Sequence, residues 1–387
     1  MRTVLPSFWF MAVVATLEGC ATFTPGPGGP LPWSNLPGWS EASIAPAWPA
    51  LLNSCRKLSA SGAVWKSICD DATAITVPDE AAARRFFESR FEPHLQRASL
   101  FRSQGLVTGY YEPLLNGSRV RTERYRYPLY RPPDDLVTVD LGALYPELNN
   151  KSVRGRLVGR RVVPYFARGE IDNQPSPLAG NELLWVDDPI ALFFLQTQGS
   201  GRVQLPSGET IMVGYADQNG YPYTAIGRTL VERAGLAIEA IDAPTIRAWL
   251  SSHPTEAQAV MNTNASYVFF AERDPTLPGP LGALGVPLLP ERAIAVDPAY
   301  FPLGVPVWLD TTLPDGARPY RRLVFAQDTG GAIKGPLRAD LFFGEGMQAE
   351  TYAGRMRAPG KFYVLQPRAR APLHDPSAIS TISPSRP

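Results

Sequence analysis

The chain has 387 residues, is 44% hydrophobic and carries a formal net charge of +1. That length exceeds a usual single domain, so two domains, or one with a large insertion, are expected. A near-neutral charge with no basic stripe gives no reason to expect nucleic acid as a partner, and 40 prolines beside 33 glycines favour short strands and turns over long helices.

The chain opens MRTVLPSFWFMAVVATLEGC: one arginine, an apolar run from Val4 to Leu17, then Leu-Glu-Gly-Cys. This reads as a signal peptide over 1–19 with a lipoprotein-type cleavage box and Cys20 as the lipidated first residue. Glu18 inside the box and Pro6 inside the run depart from the pattern, and ordinary secretion or a retained anchor are the alternatives. The run is too short to span a bilayer comfortably. Residues 20–49, rich in proline and glycine, read as a tether whose later tryptophans, Trp33, Trp39 and Trp48, dock on the protein. The remaining cysteines, Cys55 and Cys69, are expected to form a disulfide in an exported chain, against the alternative of two buried thiols.

Helices are predicted at "WPALLNSCRKLS" and "PDEAAARRFFESRFEP". From Leu106 to about Gly227 the signals are strands, including "GLVTGYYEPLL", "RLVGRRVVPYF" and "ALFFLQTQGSGRVQLPSGETIMVGYAD". Helices return at "DAPTIRAWLSSHP" and "TEAQAVMN", with Asp242 and Thr255 as caps. Strands resume at "SYVFFAER", "ERAIAVDP", "VPVWLD", "RRLVFAQDTGG" and "GKFYVLQPR". The regular alternation of a parallel α/β sheet is missing. The last segment, 369–387, reads as a disordered tail.

The stretch "DTGGAIKGPLRADLFFG", Asp328 to Gly344, concentrates the chemistry. It is no phosphate loop, because Lys334 precedes Gly335 and Pro336 has no N–H to offer. The three histidines, His94, His253 and His374, are too scattered for a zinc site or a Ser-His-Asp triad. No metal or other cofactor is expected. What remains is carboxylate chemistry: Asp328 and Asp297 end apolar strands, and Asp340 precedes Phe342 and Phe343. An acid near aromatics and a second negative charge has a raised pKa, as a general acid requires. Turn capping is the alternative for all three. "TGYYEP" and "QTQGSGRVQL" place aromatics, amides and glycines where they suit sugar binding, although such aromatics are also ordinary core.

Together, "GLVTGYYEP", "VPYFARGEI", "FFLQTQGSGRVQL", "VGYADQNGYPYTAIGRTL", "NASYVFF", "AVDPAYFPLGVPVWL" and "AQDTGGAIKGPLRADLFFG" resemble the membrane-bound lytic murein transglycosylase A family, from about residue 50 to 368. The resemblance implies a mainly β protein with a few helices. Its double-psi β-barrel is built from 50–113 and 273–368, with a second, barrel-like β-domain inserted at 114–272. It implies cleavage of the β-1,4 bond between N-acetylmuramic acid and N-acetylglucosamine in peptidoglycan, leaving 1,6-anhydro ends. Asp340 matches the family's single acid/base and Asp328 a supporting residue, while Asp297 is taken as structural. Thr108, Gly109, Tyr110, Gln198 and Gly199 are expected to line the groove, and Lys334 either contacts substrate or is a solvated turn residue. The "PLRA" segment is one residue longer than in some family members. The partners implied are glycan strands, a membrane reached through Cys20 at the periplasmic face of the outer membrane, and other cell-wall enzymes; a soluble periplasmic protein is the alternative. A glycan hydrolase using both Asp328 and Asp340, and a non-catalytic expansin-like wall-binding protein, are the competing functions.

Overall fold

The computed structural model describes residues 24–148, 152–314 and 318–368, so the signal, Cys20 and the 369–387 tail lie outside the described residues. Six strands close into a ring: Arg357–Pro367, Pro306–Thr312, Pro319–Asp328, Ala293–Val296, Arg338–Glu345, Gly105–Glu112 and back to Arg357–Pro367. Two of its pairings are parallel, Ala293–Val296 with Pro319–Asp328 and Arg338–Glu345 with Gly105–Glu112. Parallel neighbours need crossover connections, and two such crossings in one small closed ring make a double-psi barrel. Alternate residues fill its interior, among them Val107, Ile294, Val324, Ala339, Leu341 and Phe362.

Gly109 fits this ring because it lacks a side chain. A Cβ there would lie 2.6 Å from a Phe343 ring carbon and 2.8 Å from the Ala353 Cα, so the helix Gly346–Arg355 could not close on the strand. Packing therefore requires glycine at this position.

The stretch read as a tether is built into the fold from Gly26 onward. Gly26–Pro30 forms an edge strand on Phe91–Arg97, which itself pairs with Arg357–Pro367. An edge position tolerates prolines because one side needs no N–H donors. Trp39 is buried against Trp308, ring centroids 5.1 Å apart, and donates to Glu88 Oε1 at 2.8 Å. Three helices follow, Trp48–Leu58, Ala63–Thr73 and Glu80–Arg90, the third capped by Asp79 accepting from Ala82 N at 2.7 Å. Cys55 and Cys69 join the first two as a disulfide.

Residues between the two halves of the barrel form a six-stranded sheet in the order Val268–Arg273, Thr210–Gln218, Ser200–Gln204, Leu114–Ser118, Glu182–Val186, Tyr127–Tyr130. Tyr130 and Tyr267 pack together, 6.3 Å between centroids, and draw the two outer edges towards each other. One expected strand is a helix: Pro189–Gln198 begins at Asp188, which accepts from Ile190 N, and ends at Gly199 with φ 82°. An unbroken apolar run has no period to separate strand from buried helix, and the Asp-Pro start and glycine end decide for helix. The helix Gly227–Ala234 was not expected. Of the predicted caps, Asp242 accepts from Thr245 N at 2.8 Å, whereas Thr255 lies inside the helix Pro254–Met261, whose cap position is His253.

Candidate active site at the barrel strand ends

The register brings the two acids of the Asp328–Gly344 stretch to one place. Ala295 is opposite Asp328 in the parallel pair and opposite Asp340 in the antiparallel one, so the two aspartates flank a single residue. Asp340 is also level with Thr108 on its other side. Period-two alternation sends Ala339 and Leu341 into the barrel and leaves Asp340 on the opposite face with Phe342.

The two carboxylates differ in how far they are satisfied. Asp328 Oδ1 accepts from Ala283 N at 2.9 Å and Oδ2 from the Tyr110 hydroxyl at 2.9 Å, and Thr329 N adds a third bond. Asp340 accepts on Oδ1 from the Thr108 hydroxyl at 2.5 Å, and its Oδ2 has no donor among the described residues. Thr108 Oγ1 in turn accepts from the Arg338 guanidinium at 2.8 Å, which forms a chain Arg338–Thr108–Asp340.

Burial pushes the Asp328 carboxyl up to about 6; its three hydrogen bonds pull it down and the Asp340 charge adds a smaller push. Burial also raises Asp340, against the downward pull of Arg338 and Thr108. Desolvation dominates both, so each acid is poised by its own surroundings more than by the other. Burial raises the Tyr110 hydroxyl well above its usual range, and its ring packs on Phe342 at 5.1 Å.

The other expected residues separate into distinct places. Asp297 holds the glycine turn, accepting from Gly335 N at 2.8 Å and Ala299 N at 3.1 Å. Gln198 Oε1 accepts from Tyr111 N at 3.1 Å, tying the inserted domain to the barrel strand. Gly199 closes its helix in the left-handed region, a position that favours glycine. Lys334 is exposed on a cavity beside the site. Two residues escaped the sequence reading. Arg338 sits two before Asp340 on one strand, a spacing that puts both on one face. Tyr223 reaches over from the inserted domain: burial raises its hydroxyl, Arg168 lowers it and the Asp340 charge raises it. The pair of tyrosines in "GYPY" was its only sequence signal.

Fold and site define a double-psi-barrel protein with a desolvated carboxylic acid at its strand ends, one oxygen of which has no donor among the described residues. Two family models match the chain, the MltA specific insert domain over residues 106–271 and the 3D domain over residues 292–366. The crystal structure of MltA from Neisseria gonorrhoeae is 35% identical, with a TM-score of 0.76 over 90% of this chain and 96% of that one. A lytic transglycosylase, LtgG, of Burkholderia pseudomallei is 42% identical, with a TM-score of 0.59 over 90% and 99%. Membrane-bound lytic murein transglycosylase A of Escherichia coli K12 is 30% identical over 67% of this chain and 65% of its own, so the match spans about two thirds of that relative. The chain belongs to the membrane-bound lytic murein transglycosylase A family.

Proposed function

We propose that the protein is a peptidoglycan lytic transglycosylase in which Asp340 alone serves as acid and base. The observation that carries this reading is the inequality of the two carboxylates: Asp340 keeps a free oxygen and a raised pKa, while Asp328 has both oxygens engaged. Protonated Asp340 gives its proton to the glycosidic oxygen as the C1–O bond breaks. The resulting carboxylate takes the proton of the sugar's own C6 hydroxyl, whose oxygen bonds to C1 and closes a 1,6-anhydro ring. No water is consumed and Asp340 ends protonated. A hydrolase needs a second carboxylate as nucleophile or to activate water; here the nucleophile is part of the substrate and already close, which supplies much of the rate. Thr108 and Arg338 stabilise the carboxylate form between the two transfers.

Mass spectrometry of digested murein tests this, since anhydro ends are lighter than hydrolysed ends by one water. Hydrolysed ends would transfer the second catalytic role to Asp328. Pelleting with murein and no soluble products from the unmodified protein would favour a wall-binding function. The substrate is the glycan strand of peptidoglycan, and the anchor is a lipid on Cys20, holding the enzyme at the periplasmic face of the outer membrane beside other cell-wall enzymes. The named curated relative is membrane-bound, and no helix among the described residues is long and apolar enough to cross a membrane. Membrane fractionation of a Cys20→Ser variant checks the anchor: the variant should leave the membrane fraction.

A further inference from the structure

Next to the Arg338 end of the site lies a cavity of about 480 Å³. Its lining contains three cations, Arg102, Lys334 and Arg338, and no acidic residue. Arg102 and Lys334 are exposed and make no side-chain hydrogen bond or ion pair among the described residues. The Gln104 amide adds a neutral donor to the wall. Arg357, opposite Thr108 in the antiparallel register, puts a fourth cation on the same strand face nearby.

We propose that this cavity is a subsite for the carboxylates of the peptide stem borne by the muramic acid at the cleavage point. The inference rests on the reading of the protein as a peptidoglycan enzyme. Unpaired cations around a concave wall recognise an anion, and guanidinium–carboxylate pairing is the strong, directional form of that recognition. The volume falls in the range of small-ligand sites, roughly 300–1,000 Å³, and exceeds what a lone lactyl carboxylate fills. Arg338 joins the cavity to the chemistry: it lines the wall and donates to Thr108, one hydrogen bond from Asp340. A stem seated there positions the sugar that carries it.

The test is binding, measured by titration calorimetry with the Asp340→Asn protein so that no ligand is cleaved. Three ligands are compared: a GlcNAc–MurNAc tetrasaccharide with stem peptides, the same sugar stripped of stems by an amidase, and chitotetraose. Stem-bearing sugar should bind about tenfold tighter than either of the others, two or three exposed ion pairs each contributing a few-fold. Adding Arg102→Ala or Gln104→Glu, both at exposed positions, should narrow that gap about fivefold and leave the stem-free ligands unchanged; Arg102→Lys should keep most of it. Equal binding of all three ligands overturns the subsite. Equal binding of stem-bearing and stripped sugar, both above chitotetraose, assigns the cations to the lactyl group and overturns the stem. Loss of all three together in the variants gives Arg102 a role in the glycan groove or the fold instead. Because none of these outcomes depends on cleavage, failure of the transglycosylase reading would show separately, in the products of the unmodified protein.

Discussion

The inserted domain and the barrel each bury a charge, and they treat it in opposite ways. Arg168, 4% exposed in the inserted domain, donates to the Asn264 carbonyl at 3.0 Å and the Ser266 carbonyl at 2.7 Å. It lies over Phe193 and Tyr267 at 4.9 and 5.0 Å and is attracted by the nearby Asp172. In the barrel, Asp340 has, among the described residues, one hydroxyl donor, the charge of Arg338 beyond it and an oxygen left over. Both groups are desolvated and both have pKa values displaced towards neutrality. A buried charge whose partners are complete holds a structure together; one whose partners are incomplete is available to a substrate.

The largest effect should come from Asp340→Asn. Removing the proton carrier we propose should lower kcat by about 10²–10⁴-fold. The same change should raise the urea midpoint at neutral pH, because a neutral amide replaces a carboxylate whose ionised form is disfavoured by burial. Loss of activity together with loss of stability would break the comparison, since it would make Asp340 a structural charge like Arg168. Arg168→Met is the mirror experiment. It leaves two carbonyls without a donor and Asp172 without its cation, and should lower stability by about 3 kcal/mol. Anhydro products should persist in the folded fraction. A smaller effect is expected for Thr108→Val, which removes the donor to Asp340 Oδ1 and the link to Arg338. About tenfold in kcat is expected, with Thr108→Ser retaining most activity. If Val and Ser variants are equally impaired, the hydroxyl is not the operative group.

Asp328 and Asp340 were readable from sequence because the glycine turn and aromatic pair frame them, and family motifs supplied their order. Their inequality was not, because it depends on a tyrosine from one strand, a backbone amide at Ala283 and the register with Ala295. None of these is near in sequence. Arg338 was within reach, two residues from Asp340 on a strand already recognised. Tyr223 was not, since it arrives from another domain. Pro189–Gln198 was misread because burial on all sides erases the period that distinguishes helix from strand. The Gly26–Pro30 strand was hidden by its composition: its prolines are compatible only with an edge, and whether an edge is free is a property of the finished sheet.

The finest distinction concerns Asp328, whose hydrogen bonds are complete but whose charge is still costly. Its carboxyl has a folded pKa of about 6, above the ordinary value of 3.8. The protonated form is therefore favoured by folding, and the stabilisation it gives is fully present below the ordinary value. That contribution is lost as pH rises through the interval from about 4 to about 6. A two-unit shift corresponds at most to nearly 3 kcal/mol, and partial solvent access at this strand end should reduce it to about 1 kcal/mol. Urea midpoints across that interval, for wild type and Asp328→Asn, isolate it from Asp340, which titrates in both. The wild type should lose more stability over the interval than the variant. An identical slope in the two proteins would mean that the bonds from Ala283, Thr329 and Tyr110 offset the burial completely, and Asp328 would then be a purely structural charge.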